Sequence, residues 1–146
     1  MTNSIKHRYF FAQDPRVVWE YLTDASLISQ WLMPNNFEPV VGHEFQFQWR
    51  AVPEIDFDGI SHCRVLDIIP EKKLSYSWKT GPGNGKITLD SIVIWTLEAK
   101  DGGTELLLEH SGFKELENAN IFLAMRDGWI RHMKKIEESI EAAIQS

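Results

Sequence analysis

Five histidines are the side chains of this sequence most suited to acid–base or metal chemistry: His7, His43, His62, His110 and His132. None of them falls in a His-Glu-x-x-His segment or in a closely spaced pair, which are patterns that zinc sites use. The single cysteine, Cys63, has no second cysteine with which to hold a metal or close a disulfide. We therefore expect no metal, no other cofactor, and a buried free thiol at Cys63.

Two polar residues inside predicted strands could face a ligand. His110 alternates in phase with Leu106 and Leu108, so its ring is expected to point inward, either as a hydrogen-bonded core histidine or as a ligand contact. It is also the residue on which a cyclase-type enzyme would depend, because such chemistry needs a titratable group in a pocket. Arg64 is costly to bury unpaired, so it lies at a rim, pairs with a carboxylate or contacts an anionic group.

Two further segments look like binding motifs but have simpler interpretations. Glu54, Asp56 and Asp58 alternate, yet a calcium site normally needs a compact loop with six or more oxygens, so the pattern favours a solvated edge. Residues 81–85, Gly-Pro-Gly-Asn-Gly, lack the lysine of a phosphate-binding loop and the spacing of a dinucleotide site. They predict a loop that either covers the mouth of a cavity or joins a hairpin.

Composition sets the class of protein. A length of 146 residues with 43% hydrophobic and 25% charged residues is typical of one globular domain, and we treat residues 1–146 as such. The net charge of −6 disfavours nucleic acid and anionic membrane surfaces as partners. No signal peptide and no spanning apolar run is visible, so we expect a cytoplasmic protein without membrane insertion. Six Trp and eight Phe are unusually many for this length.

The spacing of apolar residues predicts one strand, two short helices, five or six antiparallel strands and one long helix. Asp14, followed by a proline, and Asp24 are the expected N-caps of the short helices. The strands are predicted at residues 5–11, 44–50, 59–69, 74–78, 87–99 and 104–111. The long helix is predicted from an apolar stripe: Phe122, Met125, Trp129, Met133, Ile136, Ile140 and Ile144.

Such a helix must cover the apolar face of the sheet, and a straight helix cannot contact a curled sheet everywhere. The resulting gap is filled by large side chains, by the short helices or by a ligand. Aromatic residues at strand and helix spacing could either close this gap as core or line a cavity in it. Apolar periodicity by itself does not separate the two interpretations.

Five groups of residues occur in an order typical of one known family. They are Asp14-Pro15-x-x-Val18-Trp19 with Thr23-Asp24 and Trp31; Gly42-x-x-Phe45-x-Phe47; Val65-x-x-Ile68-x-Pro70-x-x-x-Leu74-x-Tyr76-x-Trp78; Gly103-Thr104-x-Leu106 with His110-Ser111-Gly112-Phe113; and Gly128-Trp129. The pattern covers nearly the whole chain and resembles the family related to the activator of heat-shock protein 90 ATPase. The resemblance is to the C-terminal domain of the eukaryotic co-chaperone.

The resemblance implies the α+β helix-grip fold of the START-like (SRPBCC) superfamily, whose members hold small hydrophobic molecules, lipids included, between the sheet and the last helix. We expect this chain to bind such a molecule, with no catalytic residue assigned. The alternatives are a module that binds a chaperone partner and a cyclase-type enzyme that uses the same cavity. The expected ligand contacts are Phe45, Phe47, Trp49, Arg64, Tyr76, Trp78, His110, Met125, Trp129 and Met133.

Overall fold

A computed structural model describes residues 2–145 and contains one antiparallel sheet, two short helices and one long helix. The elements, in chain order, are β1 (Thr2–Phe11), α1 (Pro15–Thr23), α2 (Ala25–Trp31), β2 (Glu44–Gln48), β3 (Ile60–Ile69), β4 (Lys73–Thr80), β5 (Leu89–Lys100), β6 (Gly103–Lys114) and α3 (Ala119–Gln145). This architecture confirms the predicted α+β helix-grip fold, with six strands in the sheet.

The sheet has the strand order β1-β6-β5-β4-β3-β2, and all its pairs are antiparallel. The β5–β6 hairpin turns through Asp101 and Gly102, whose φ angles are +50° and +77°. Two positive φ angles match the right-handed twist of the flanking strands, which is why Asp-Gly favours a two-residue turn. This turn joins β5 and β6, the two strands that the sequence predicts at residues 87–99 and 104–111.

The two short helices begin where their capping residues predict. The Asp14 carboxylate accepts a hydrogen bond from the Val17 backbone N–H at 3.3 Å, and Pro15 occupies the first turn of α1. The Asp24 carboxylate accepts from the backbone N–H groups of Ser26 and Leu27 at the start of α2. These bonds satisfy amides that have no partner inside the helix.

Helix α3 buries most of the predicted stripe against the sheet. Trp129, Met133, Ile136 and Ile140 are at most 1% exposed. Ile144 is 67% exposed and residues 141–145 are all exposed, so the last turn extends beyond the core and the stripe is shorter than predicted. None of the helices within residues 2–145 is both long and apolar enough to cross a membrane.

Strand β2 ends earlier than the sequence alternation predicts. The strand stops at Gln48, and Trp49 is 58% exposed instead of continuing the buried face of Phe45 and Phe47. At Trp49 the chain enters a loop, residues 49–59, that closes on Gly59. Gly59 has φ +102°, and a Cβ there would lie 2.7 Å from the Trp49 carbonyl oxygen, so only glycine fits this closure.

The middle of the space between α3 and the sheet is filled by the protein's own rings. Trp95 contacts Trp31 and Trp129 edge to face, at centroid distances of 5.8 and 5.5 Å. Phe45, Phe47 and other buried side chains extend this packing across the sheet. Because these rings are fully enclosed, a ligand site between helix and sheet must lie at an end of the interface.

Candidate functional site

A cavity of about 220 Å³ lies at one end of the interface between α3 and the sheet. Its walls come from the first half of α3, the two residues that follow α2, the loop 49–59, and the adjoining ends of β3 and β4. The gap between a straight helix and a curled sheet, which the sequence predicts, is therefore present at this end.

Helix α3 forms one wall through Ile121, Ala124, Met125, Gly128 and Trp129. These residues share one face because their spacing of three or four matches the helical turn. Gly128 is buried in the middle of the helix, where glycine normally destabilises. A Cβ at Gly128 would meet only Arg131 Nη2, at 3.8 Å, so the absence of a side chain leaves the space beside the helix open.

The loop 49–59 forms the facing wall, which sequence reasoning missed except for Trp49. Val52, Ile55 and Phe57 line the cavity from this loop. Val52 and Phe57 hold the loop by two backbone hydrogen bonds, with N–O distances of 2.7 and 3.2 Å. Glu54 and Asp56 are exposed, as the prediction of a solvated segment requires, but the segment is a loop with a 3₁₀ turn at Pro53–Ile55 and not a strand edge.

The apolar residues of this loop were present in the sequence, interleaved with the acidic positions. The acidic alternation predicts a solvated edge, whereas the intervening apolar residues form the cavity wall. Leu32 and Met33, just after α2, complete this side. A search for apolar residues in long loops could have found this wall.

The sheet contributes three polar side chains: Ser61 from β3, and Trp78 and Thr80 from β4. Ser61 Oγ, Trp78 Nε1 and Thr80 Oγ1 are buried without a hydrogen-bond partner inside the protein. Within residues 2–145 only one other buried side-chain nitrogen or oxygen lacks a hydrogen-bond partner. This atom is Gln13 Oε1, which does not line the cavity. Buried polar groups are normally paired, so three unpaired groups at one cavity indicate that the cavity is a candidate ligand site.

His110 lies in the core, with both ring nitrogens hydrogen-bonded to other side chains. The Trp129 indole N–H donates to His110 Nδ1 at 3.0 Å, so the proton of the neutral ring is on Nε2. Nε2 then donates to Ser91 Oγ at 2.8 Å, and the Ser91 hydroxyl donates to the Trp78 carbonyl at 2.7 Å. Full burial lowers the pKa of His110 to about 3. We therefore interpret His110 as a bridge between α3 and the sheet.

His132 and Arg131 lie at the cavity wall on the α3 side. His132 Nδ1 donates to the Trp31 carbonyl at 2.9 Å, and burial, the largest cause, lowers the pKa of its ring. The neutral ring therefore offers Nε2 as an acceptor. Arg131 is exposed and makes no ion pair with a carboxylate within the described part of the chain.

Four of the ten expected contact residues line the cavity: Trp49, Trp78, Met125 and Trp129. Phe45, Phe47, Tyr76 and Met133 are buried behind them in the core. The ring of Phe47 contacts that of Trp78 at 5.2 Å, and the Tyr76 hydroxyl accepts from Trp95 Nε1 at 2.9 Å.

Arg64 does not line the cavity. It lies on the solvent face of β3, and its Nη1 is 3.9 Å from Glu44 Oε1 on β2. Of the roles left open for Arg64, the structure places it as the partner of an exposed carboxylate. An exposed ion pair of this length contributes little to stability.

A curved sheet closed by a long C-terminal helix, with an apolar cavity between them, is the architecture of the START-like (SRPBCC) ligand-binding superfamily. Residues 12–141 match the family model described as Activator of Hsp90 ATPase homolog 1-like protein. The chain belongs to this family. No curated protein matches it at a significant level.

Three solved structures illustrate the likeness. Protein MLL2253 from Mesorhizobium loti is 31% identical with a TM-score of 0.84, over 96% of this chain and 98% of that one. Protein BH1534 from Bacillus halodurans is 25% identical with a TM-score of 0.76, over 95% and 99% of the two chains. The Aha1 dimer from Colwellia psychrerythraea, 18% identical with a TM-score of 0.75 over 94% and 95%, shares the fold.

The neutral His110 ring predicts a pH-dependent stability. Its pKa is 6.5 in the unfolded chain and about 3 in the folded one, so between these values only the unfolded chain takes up the proton. The free energy of unfolding should therefore fall with decreasing pH from about 6.5, by about 1.4 kcal/mol per pH unit from this group. Urea unfolding of wild type and His110→Gln from pH 4 to 7 measures the difference.

His110→Gln places a neutral amide, which can donate and accept hydrogen bonds, where the titrating ring was. The slope of its unfolding free energy against pH should be smaller than that of wild type by up to the contribution of one proton, about 1.4 kcal/mol per pH unit. The same slope in both proteins would show that His110 is protonated alike in the folded and unfolded chains, contrary to the buried geometry.

Gly128→Ala should stabilise the protein in the absence of ligand. Alanine improves the helix interior by about 0.5–1 kcal/mol, and its methyl group enters open space. Thermal unfolding should shift upward by about 1–4 °C. A lower melting temperature would mean that the space beside Gly128 is already occupied.

Proposed function

We propose that this chain binds a small hydrophobic or aromatic molecule in the cavity between α3, the loop 49–59 and the ends of β3 and β4. The observation that carries the proposal is an apolar cavity with a few unpaired polar atoms in its wall. That combination is typical of small-molecule sites, in which apolar walls supply affinity and placed polar groups supply orientation.

The cavity volume limits the size of the ligand. Sites for drug-sized molecules usually measure roughly 300–1,000 Å³, and an engineered cavity of about 150 Å³ holds benzene. The volume of about 220 Å³ lies between these values and fits one or two rings. Trp49, Phe57, Trp78 and Trp129 offer aromatic surface to such a molecule.

The superfamily also contains cyclases, and the alternative of cyclase-type chemistry needs a titratable group at the cavity. His110 is engaged on both nitrogens by Trp129 and Ser91, so it has no free atom for a substrate. His132 is the histidine at the cavity wall, and its Nε2 is the atom that such chemistry would use. Binding requires no further assumption, so we place it first. No feature of the cavity supports a chaperone partner over a small molecule.

Ligand binding can be tested with substitutions that fill the cavity. Ala124→Leu adds apolar volume at the α3 wall and should weaken the binding of one- and two-ring aromatic compounds at least tenfold. Ala142→Leu makes the same change on the exposed end of the same helix and should leave binding unchanged. Toluene, indole and naphthalene are suitable probes, followed by ligand-observed NMR and by quenching of tryptophan fluorescence.

The two variants should have similar far-ultraviolet circular dichroism, since both positions are exposed in α3. If wild type binds none of the probes saturably, or if both substitutions weaken binding equally, the cavity is not the ligand site.

A further inference from the structure

We propose that the cavity selects aromatic molecules that carry a neutral acceptor oxygen, with aryl ketones as the type, and binds that oxygen at Ser61, Trp78 and Thr80. We call these three side chains the polar patch. This inference rests on the proposed function and specifies the class of ligand.

The polar patch contains three of the four buried side-chain polar atoms within residues 2–145 that lack a hydrogen-bond partner. Ser61, Trp78 and Thr80 are 0%, 2% and 1% exposed, yet Ser61 Oγ, Trp78 Nε1 and Thr80 Oγ1 have no partner in the protein. The other three buried tryptophans within residues 2–145 donate their indole N–H to a protein acceptor: Trp31 to the Tyr21 carbonyl, Trp95 to Tyr76 and Trp129 to His110. Among these four buried tryptophans, Trp78 is therefore the one whose indole N–H is available to a ligand.

The strand register gathers the three groups in one place. Cys63 pairs with Trp78 and His62 with Lys79 across β3 and β4, and the next step of this register brings Ser61 opposite Thr80. Trp78 and Thr80 are two apart on β4, so their side chains lie on the same face of the sheet. Since all three line the cavity, one ligand group can reach them together.

The chemistry of the polar patch determines what the ligand group must be. An indole N–H only donates, so the ligand atom facing Trp78 has to be an acceptor. Serine and threonine hydroxyls can also donate, and the patch contains no positive charge. An ionised carboxylate buried against it would be strongly disfavoured, whereas a carbonyl oxygen can accept two or more of these bonds. Arg131, the cation at the cavity wall, is exposed to solvent.

The test compares acetophenone with α-methylstyrene, which has nearly the same shape but carries a methylene group in place of the carbonyl oxygen. Wild type should bind acetophenone at least tenfold more tightly, measured by titration calorimetry or ligand-observed NMR. Benzoate should bind more weakly than acetophenone at neutral pH because its charge is not compensated.

Variants assign the preference to the polar patch. Thr80→Val removes a hydroxyl while keeping the side-chain shape, and Trp78→Phe removes the indole N–H together with one ring. Because acetophenone and α-methylstyrene have nearly the same shape, the lost ring affects both alike, and each variant should reduce the preference for acetophenone about three- to tenfold. Thr96→Val on the exposed face of β5 is the matched control and should keep the full preference. Thr80→Val should also melt at the same or a higher temperature, because it removes an unpaired buried hydroxyl.

The outcomes separate this inference from the proposed function. Equal affinity for acetophenone and α-methylstyrene would overturn the inference and leave aromatic binding in place. A preference that survives in both patch variants, or tighter binding of benzoate, would also overturn it. If neither compound nor the probes named above bind to wild type, both proposals fail.

Discussion

The hydrogen bond from Trp129 to His110 is the contact on which the arrangement of helix and sheet depends. It links the middle of α3 to β6, and Ser91 extends the link to the carbonyl of Trp78 on β4. An indole N–H and a neutral imidazole satisfy each other without any charge, so the link can be fully buried. Because Trp129 also packs between Trp78 and Trp95, this contact fixes how closely α3 approaches the sheet.

That approach explains why the cavity lies where it does. On the C-terminal side of Trp129, α3 buries Met133, Ile136 and Ile140 against the core. On the N-terminal side the next wall residues are Gly128 and Met125, and glycine contributes no side chain to fill the space. One helix therefore closes the core at one end and leaves it open at the other. The loop 49–59 then encloses the open end.

Much of the fold follows from local patterns. The N-caps at Asp14 and Asp24, the turn at Asp101-Gly102 and the inward direction of His110 were all predictable, because each depends on neighbours within a few residues. Trp49 and Arg64 were less predictable. Alternation does not say where a strand stops, and Trp49 begins a loop after β2 that closes on Gly59, ten positions later. The face of Arg64 depends on which side of β3 the helix covers.

The sequence alone determined the order of elements, the family and the aromatic character of the interior, because periodicity and motif spacing are local properties of the chain. Only the tertiary structure decided which aromatic residues close the core and which line a cavity, since side chains from distant segments compete for the same space. It also decided that Ser61, Trp78 and Thr80 remain unpaired. Whether a buried polar atom finds a partner depends on the packing of several elements at once.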